Sequence, residues 1–384
     1  MHPNPFSVGT TRPANYMFGR GGQLRAIERW AYEIQNERHP DPICFCGATG
    51  TGKTSLLKYA QDMLREKGWL CGYSEASPDA SSAIDDFLDD VRRELPRGRI
   101  PEKFISRISE LSVSAVGLSA GIKIGDVGQR TAYARVREIF SILGEIAKKT
   151  GTGVALLIDE AQVLPQHDLR LLFRAIESLH GYPVSLIVAG LPGVAGNISG
   201  VDDKRELSGP SVLFPPHLSP LSLSESSEAL YVPVEDQGGI IEGLAAIAMT
   251  GFAEGHPLTL RKVGGSAWEF ADQDADDSSP VTIKEKHANR AIREVGRQLK
   301  LAYHEPMWQR STDAQRKVMI ALATSSALDI MGQRSDISNV TRNAHDVLYE
   351  LFCRGVVYED GDDRGIDFTI PGFYAYVQSK ARSM

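Results

Sequence analysis

Apolar positions along the chain follow two alternating periodicities. Leu24, Ile27, Trp30, Ala31 and Ile34 recur every three or four residues, which predicts an amphipathic helix behind an N-terminal arm rich in Pro, Asn and Thr. His39-Pro40-Asp41-Pro42 stops that helix. Ile43-Cys44-Phe45-Cys46 reads as a short apolar strand, and Leu56, Leu57, Ala60, Met63 and Leu64 form the buried stripe of the next helix, with Gly68 as its C-cap. A second strand is expected at 69–73. Residues 79–150 read as mainly helical, with one stripe at Ile84, Phe87, Leu88, Val91 and Leu95 and another at Tyr133, Val136, Ile139, Leu143 and Ile146. Between these stripes, 113–124 alternates apolar with small or polar residues, predicting an inserted β-hairpin. Residues 154–158 are apolar on both faces, as a central parallel strand requires. Leu169, Leu172, Phe173, Ile176 and Leu179 mark a further helix and 184–189 a further buried strand, so strands and helices alternate as in a three-layer α/β domain.

Beyond about residue 220 the strands stop. Residues 222–298 read as helices, with the acidic, Ser-rich stretch 272–279 as an exposed loop. The last unit reads as helices at 313–324, 336–339 and 341–352, followed by two paired strands at 356–358 and 367–370. The boundaries that follow are an arm and first helix at 1–40, an α/β domain at 41–220 with an insertion at 79–130, a helical unit at 221–300 and a C-terminal unit at 301–384.

Composition sharpens this outline. The chain has 384 residues, 42% hydrophobic and 24% charged, which is ordinary globular usage and excludes a disordered or fibrous chain. The apolar runs fall short of the about 18 residues of a membrane-spanning helix. No secretory signal is visible, so the expected location is cytoplasmic, with no membrane partner. The four cysteines complete neither a disulfide framework nor a zinc spacing, and Cys44 and Cys46 are expected as buried small residues. His167 and His180 read as surface or cap residues. A net charge of −7 excludes a protein that coats nucleic acid by charge alone. Charge is uneven, however. Residues 92–107 hold six basic and two acidic side chains, which fits either a phosphate-backbone contact or a surface salt-bridged to the acidic stretch before it.

The chemistry concentrates in two places. Gly47-Ala48-Thr49-Gly50-Thr51-Gly52-Lys53-Thr54, followed by Ser55, matches G-x-x-x-x-G-K-[ST] at every fixed position, between a predicted strand and a predicted helix. Backbone N–H groups of such a turn and the helix N-terminus form a concave anion site. Lys53 is then placed to neutralise the β and γ phosphates of ATP, and the Thr54 hydroxyl to ligate Mg²⁺. The strand at 154–158 delivers Asp159-Glu160 at its C-terminal end, the edge where open α/β sheets bind ligands. Asp159 is the candidate partner of Mg²⁺, and Glu160 the candidate base for the attacking water.

With these motifs in view, the chain resembles the AAA+ ATPases of the origin-recognition and STAND branch, in particular prokaryotic ATP-binding proteins with a C-terminal winged helix. Besides the two motifs, the resemblance rests on Asn4-Pro5-Phe6 with Phe18-Gly19-Arg20, on Gly190-Leu191-Pro192-Gly193, and on Gly255-His256-Pro257-Leu258. It implies a P-loop α/β nucleotide domain, a helical lid and a winged helix. It also implies that Phe18, Gly19 and Arg20 border the adenine and that Pro257 packs near the nucleotide from the lid. Arg261 lies one turn on, while Leu258 stands where the usual lid arginine would. No polar sensor follows the strand at 184–189. Arg205, before a strand candidate at 211–214, stands where an arginine finger would reach a neighbouring subunit, and a solvated surface arginine fits equally.

The function these features imply is a Mg²⁺-dependent ATP-hydrolysing switch that acts through lid and winged helix on further copies or a partner protein. The alternative is a replication-initiator-like or transposition-regulator-like ATPase on duplex DNA, held through 92–107 or the winged helix, where Arg342, Asn343 and His345 lie. Residues 301–384 carry nine basic and eleven acidic side chains, and the wing tip 359–363 is acidic, so the two readings stay open.

Overall fold

The computed structural model describes residues 2–6, 17–36, 38–78, 129–199, 210–276, 279–326, 330–338, 340–359 and 365–382, together with Asp86, Asp89, Asp90 and Arg93. Most of the predicted insertion, the hairpin at 113–124, Arg205 and residues 360–363 of the wing tip lie outside the described residues. By Cα proximity the chain forms two compact units. One, the sheet unit, comprises Arg20–Gly47 and Lys53–His217; the other, the helical unit, comprises Met1–Gly19, Ala48–Gly52 and Leu218–Met384.

In the sheet unit, α1 (Gly21–Gln35) precedes β1 (Ile43–Cys46), α2 (Lys53–Glu66) and β2 (Leu70–Glu75). Then come α3 (Gln129–Thr150), β3 (Val154–Asp159), a 3-10 turn at Ala161–Val163, α4 (Gln166–Glu177), β4 (Val184–Gly190) and α5 (Val194–Ser199). The strands pair in parallel in the order β1-β4-β3-β2. β3 and β4 are buried at every residue, which is why their sequences are apolar on both faces. Parallel strands end on one edge, so Cys46, Glu75, Asp159 and Gly190 bring the phosphate loop and the acidic pair to the same side. The strand expected at 211–214 shrinks to one parallel bridge, Leu213 to Ile43. Pro210, Pro215 and Pro216 flank it, and proline cannot donate to a ladder.

The helical unit holds α6 (Leu223–Asp236), α7 (Gly243–Ala253), α8 (Pro257–Gln273) and α9 (Glu285–Leu299). Strands do not stop entirely at 220: β5 (Ile240–Ile241) and β6 (Thr282–Ile283) pair in parallel. Asp272 and Gln273, expected in a loop, instead end α8. A π turn at Lys300–His304 leads into α10 (Glu305–Gln309), α11 (Asp313–Thr324), α12 (Ile330–Ser338) and α13 (Ala344–Cys353). β7 (Val357–Glu359) and β8 (Ile366–Phe368) pair antiparallel, and a helix absent from the sequence reading, α14 (Phe373–Ala381), closes the chain. One hydrophobic cluster runs from Leu221 and Leu230 through Trp268 and Val295 to Leu351 and Phe373, so helices α6–α9 and the C-terminal elements share a core. The start of the arm belongs to it too. Phe6 lies so close to Gly264 that a Cβ there would be 2.8 Å from the ring, and Asn4 donates to the Gly265 carbonyl at 3.1 Å.

Candidate functional site

β1 ends in Cys46, Gly47 donates its N–H to the Gly190 carbonyl at 3.1 Å, and α2 starts at Lys53. Strand, loop and helix therefore follow in the order that the sequence motif requires. Gly50 and Gly52 have φ of +80° and +98°, conformations that favour glycine. Lys53 is only 5% exposed, and its Nζ donates to the Gly47 carbonyl at 3.0 Å. Burial pushes its pKa below the usual lysine value, against the opposing pull of Glu160 and Asp159. A buried ammonium with depressed basicity is a group that an anion would stabilise.

At the end of β3, Asp159 is 1% exposed and gathers three donors. Its Oδ2 accepts from the Thr54 hydroxyl at 2.5 Å and from the Tyr73 hydroxyl at 3.1 Å, while its Oδ1 accepts from the Glu160 N–H at 2.9 Å. Desolvation, then the Asp159 charge, push the Tyr73 phenol well above its usual range, so it stays a donor. The structure thus unites Lys53, Thr54, Asp159 and Glu160, and adds Tyr73, which the sequence reading did not single out. Thr54 and Asp159 present hard oxygen donors of the kind Mg²⁺ takes.

Glu160 adopts a left-handed conformation, φ 52° and ψ 38°. Non-glycine residues held there cost of order 1 to 3 kcal/mol and cluster at functional sites. Gln162 explains how its carboxylate is held. The Gln162 Nε2 donates to Glu160 Oε2, and its Oε1 accepts from the Leu191 N–H at 3.0 Å. Gln162 therefore spans from the acidic pair to the tail of β4, the place where a polar sensor is missing. Gly190 makes room for it, since a Cβ there would sit 2.9 Å from Gln162 Oε1. The signal in sequence was only a glutamine two residues after the acid.

In the helical unit, the loop residues Ala48–Gly52 meet the start of α8. His256 Nε2 lies 2.9 Å from the Thr49 carbonyl, and Leu258 N–H donates to the Gly50 carbonyl at 3.2 Å. Thr51 Oγ1 donates to the Ala48 carbonyl at 2.9 Å. Pro257 is the first residue of α8. Arg261 is placed beside Tyr303 of the π turn, and desolvation lowers its pKa. Phe18 packs on the helical unit's core; Gly19, with φ +66°, abuts Leu221 and Glu225. Arg20, buried, precedes α1 in the sheet unit. Ser55 lies in the first turn of α2. Cys44 and Cys46 are fully buried as expected. Among 92–107 only Arg93 is described, and it pairs with Asp90 at 3.4 Å.

A glycine-rich loop feeding a helix, with a carboxylate pair at the end of another parallel strand of the same sheet, defines a P-loop NTPase. The comparisons narrow this class. Residues 36–197 match the AAA domain family. The fold is similar to that of the Walker-type ATPase PABY2304 of Pyrococcus abyssi (16% identity, 97% of this chain and 99% of that chain covered, TM-score 0.61). It is also similar to the Aeropyrum pernix ORC2 protein in its ADP form (14% identity, 99% and 97% covered, TM-score 0.56). No curated protein sequence matches the chain. The fold is an AAA+ parallel-sheet α/β core with C-terminal helical elements, and the nucleotide module is an ATPase. Among the described residues no helix is long and apolar enough to cross a membrane.

Proposed function

We propose that the chain is a Mg²⁺-dependent ATP-binding and hydrolysing switch that couples nucleotide state to its lid and winged helix, and so to assembly with further copies or a partner protein. The observation that carries this reading is the convergence of Thr54, Tyr73 and the Glu160 amide on Asp159, beside a buried Lys53. In this reading the loop amides and Lys53 bind the phosphates, and Thr54 and Asp159 hold the metal. Mg²⁺ supplies charge neutralisation at the β and γ phosphates. Glu160 accepts a proton from the attacking water, and Gln162 fixes the direction from which it does so. Phe18, Gly19 and Arg20 border the base; Pro257 lies on the lid side. Arg205 is the candidate finger toward a neighbouring subunit.

Lys53→Ala tests the reading. Loss of a charge-assisted phosphate contact should weaken ATP binding by about tenfold to a hundredfold in calorimetric titration. Unchanged affinity would remove the loop as the nucleotide site.

A second reading is an ATPase acting on duplex DNA. The helices α11, α12 and α13 followed by the antiparallel β7–β8 pair support it, being the order of a winged helix. On α13, though, exposed Asp346 and Glu350 accompany His345, which favours a protein partner. Titrating DNA binding against salt, with and without ATP, separates the two, because phosphate contacts give a steep salt slope.

A further inference from the structure

The turn that joins α7 to α8 does more than connect two helices. Its residues run Glu254-Gly255-His256-Pro257, and the first two are both left-handed, with φ of 48° and 73°. Glycine explains Gly255, where a Cβ would stand 2.3 Å from the Leu221 carbonyl oxygen. Nothing in the residue type favours Glu254 there, so surrounding contacts hold it.

His256 is 2% exposed and bonded at both ring nitrogens. A carbonyl can only accept, so Nε2 carries the proton toward Thr49 O at 2.9 Å. Nδ1 pairs with the Thr259 hydroxyl, also at 2.9 Å, so both ring nitrogens hold the imidazole in one orientation. Gly50 allows the ring to approach, because a Cβ on it would lie 2.5 Å from His256 Cε1. The next peptide is gripped in the same way, through Leu258 N–H and the Gly50 carbonyl. A trans peptide points its N–H opposite to its C=O. Holding the carbonyls of Thr49 and Gly50 against α8 therefore turns the N–H groups of Gly50 and Thr51 away from it, as phosphate-binding donors must be. The two ends of the turn face different neighbours. The Glu254 carboxyl faces the backbone of Gly372, at the head of α14, near the like-charged Asp367. Desolvation and that charge hold the Glu254 carboxyl above the usual carboxylate range. From the π turn, His304 Nε2 donates to the Pro371 carbonyl at 2.9 Å, so the 371–372 turn is held from both sides.

We infer that His256 is a positioning residue for the phosphate loop, and that the Glu254–Pro257 turn carries the loop's state to the head of α14 through Glu254 and Gly372. The loop-positioning part stands without nucleotide; the coupling part rests on the ATP-switch reading.

Hydrogen exchange on the full chain tests both. Without nucleotide, His256→Ala should speed exchange of the 48–52 amides by about tenfold, the worth of one net hydrogen bond. His256→Gln, whose amide can still donate to Thr49 O, should recover most of that protection. Unchanged exchange in His256→Ala, or equal loss in both variants, would overturn the positioning role. Adding Mg²⁺-ATP to the wild type should slow exchange at 48–52 and alter it at 366–376. Glu254→Ala should keep the first change and lose the second. A surviving change at 366–376 would overturn the coupling. An absent response at 48–52 in the wild type would instead defeat the nucleotide reading and leave the His256 comparison intact.

Discussion

Glu160 and Glu254 are the two non-glycine residues with positive φ among the described residues, one in each unit, and they reach that conformation by different routes. Glu160 ends a buried strand. Its N–H is taken by Asp159 and its carboxylate by Gln162, so its environment is built around the acid itself. Glu254 ends a helix, with its N–H bonded to the Thr250 carbonyl as an ordinary cap and its carboxyl facing Gly372. In the proposed function the first strain aims the hydrolytic base. The second bends the chain so that the next residues can grip the phosphate loop. A left-handed glutamate is thus no single signature; what its side chain and its successor touch decides the role.

The largest effect is expected at the bend. Gly255→Ala places a Cβ against a backbone carbonyl in a conformation alanine resists, and should cost about 3 kcal/mol or more in urea unfolding. A near-neutral result would mean that the bend is soft. Gln162→Leu should lower turnover by about tenfold while ATP affinity holds, since Glu160 loses its orientation and the loop is untouched. If affinity falls with turnover, Gln162 serves the loop instead. Glycine and alanine compared at position 254, both lacking the carboxylate, isolate the backbone. Glu254→Gly should be the more stable by about 1 kcal/mol, and the same contrast is expected at position 160. The smallest effect is on pH dependence. Desolvation lowers the His304 pKa below 6.5, so the unfolded chain takes up the proton first. The stability from neutral His304 is complete above pH 6.5 and falls away as pH drops through the window below it. His304→Gln keeps a donor for Pro371 and should flatten that part of the curve.

Much of the sheet unit was legible because burial on both faces leaves its mark in composition. Val154 to Asp159 and Val184 to Gly190 could only be central strands, and the phosphate loop and acidic pair then followed from strand direction. What escaped the sequence has a common cause. Gln162 and His256 act on the Leu191 N–H and the Thr49 carbonyl, groups that every residue possesses, so no pattern announces the partner. The helix α14 commits only Phe373 and Val377 fully to the core, too few for a clear period. The β5–β6 pair is two residues long on each side, too short to leave a period in the sequence. The failed strand at 211–214 reads apolar, but its prolines decide against a ladder.

The proposed switch requires that the end of β3 provide the hydrolytic base while the phosphate loop binds ATP independently of it. Glu160→Gln tests this most directly, with ATP binding and phosphate release measured on the same preparation with Mg²⁺. ATP affinity should stay within about twofold of the wild type, and turnover should fall by a factor of about 100 to 10,000. Turnover equal to the wild type would contradict the proposed switch.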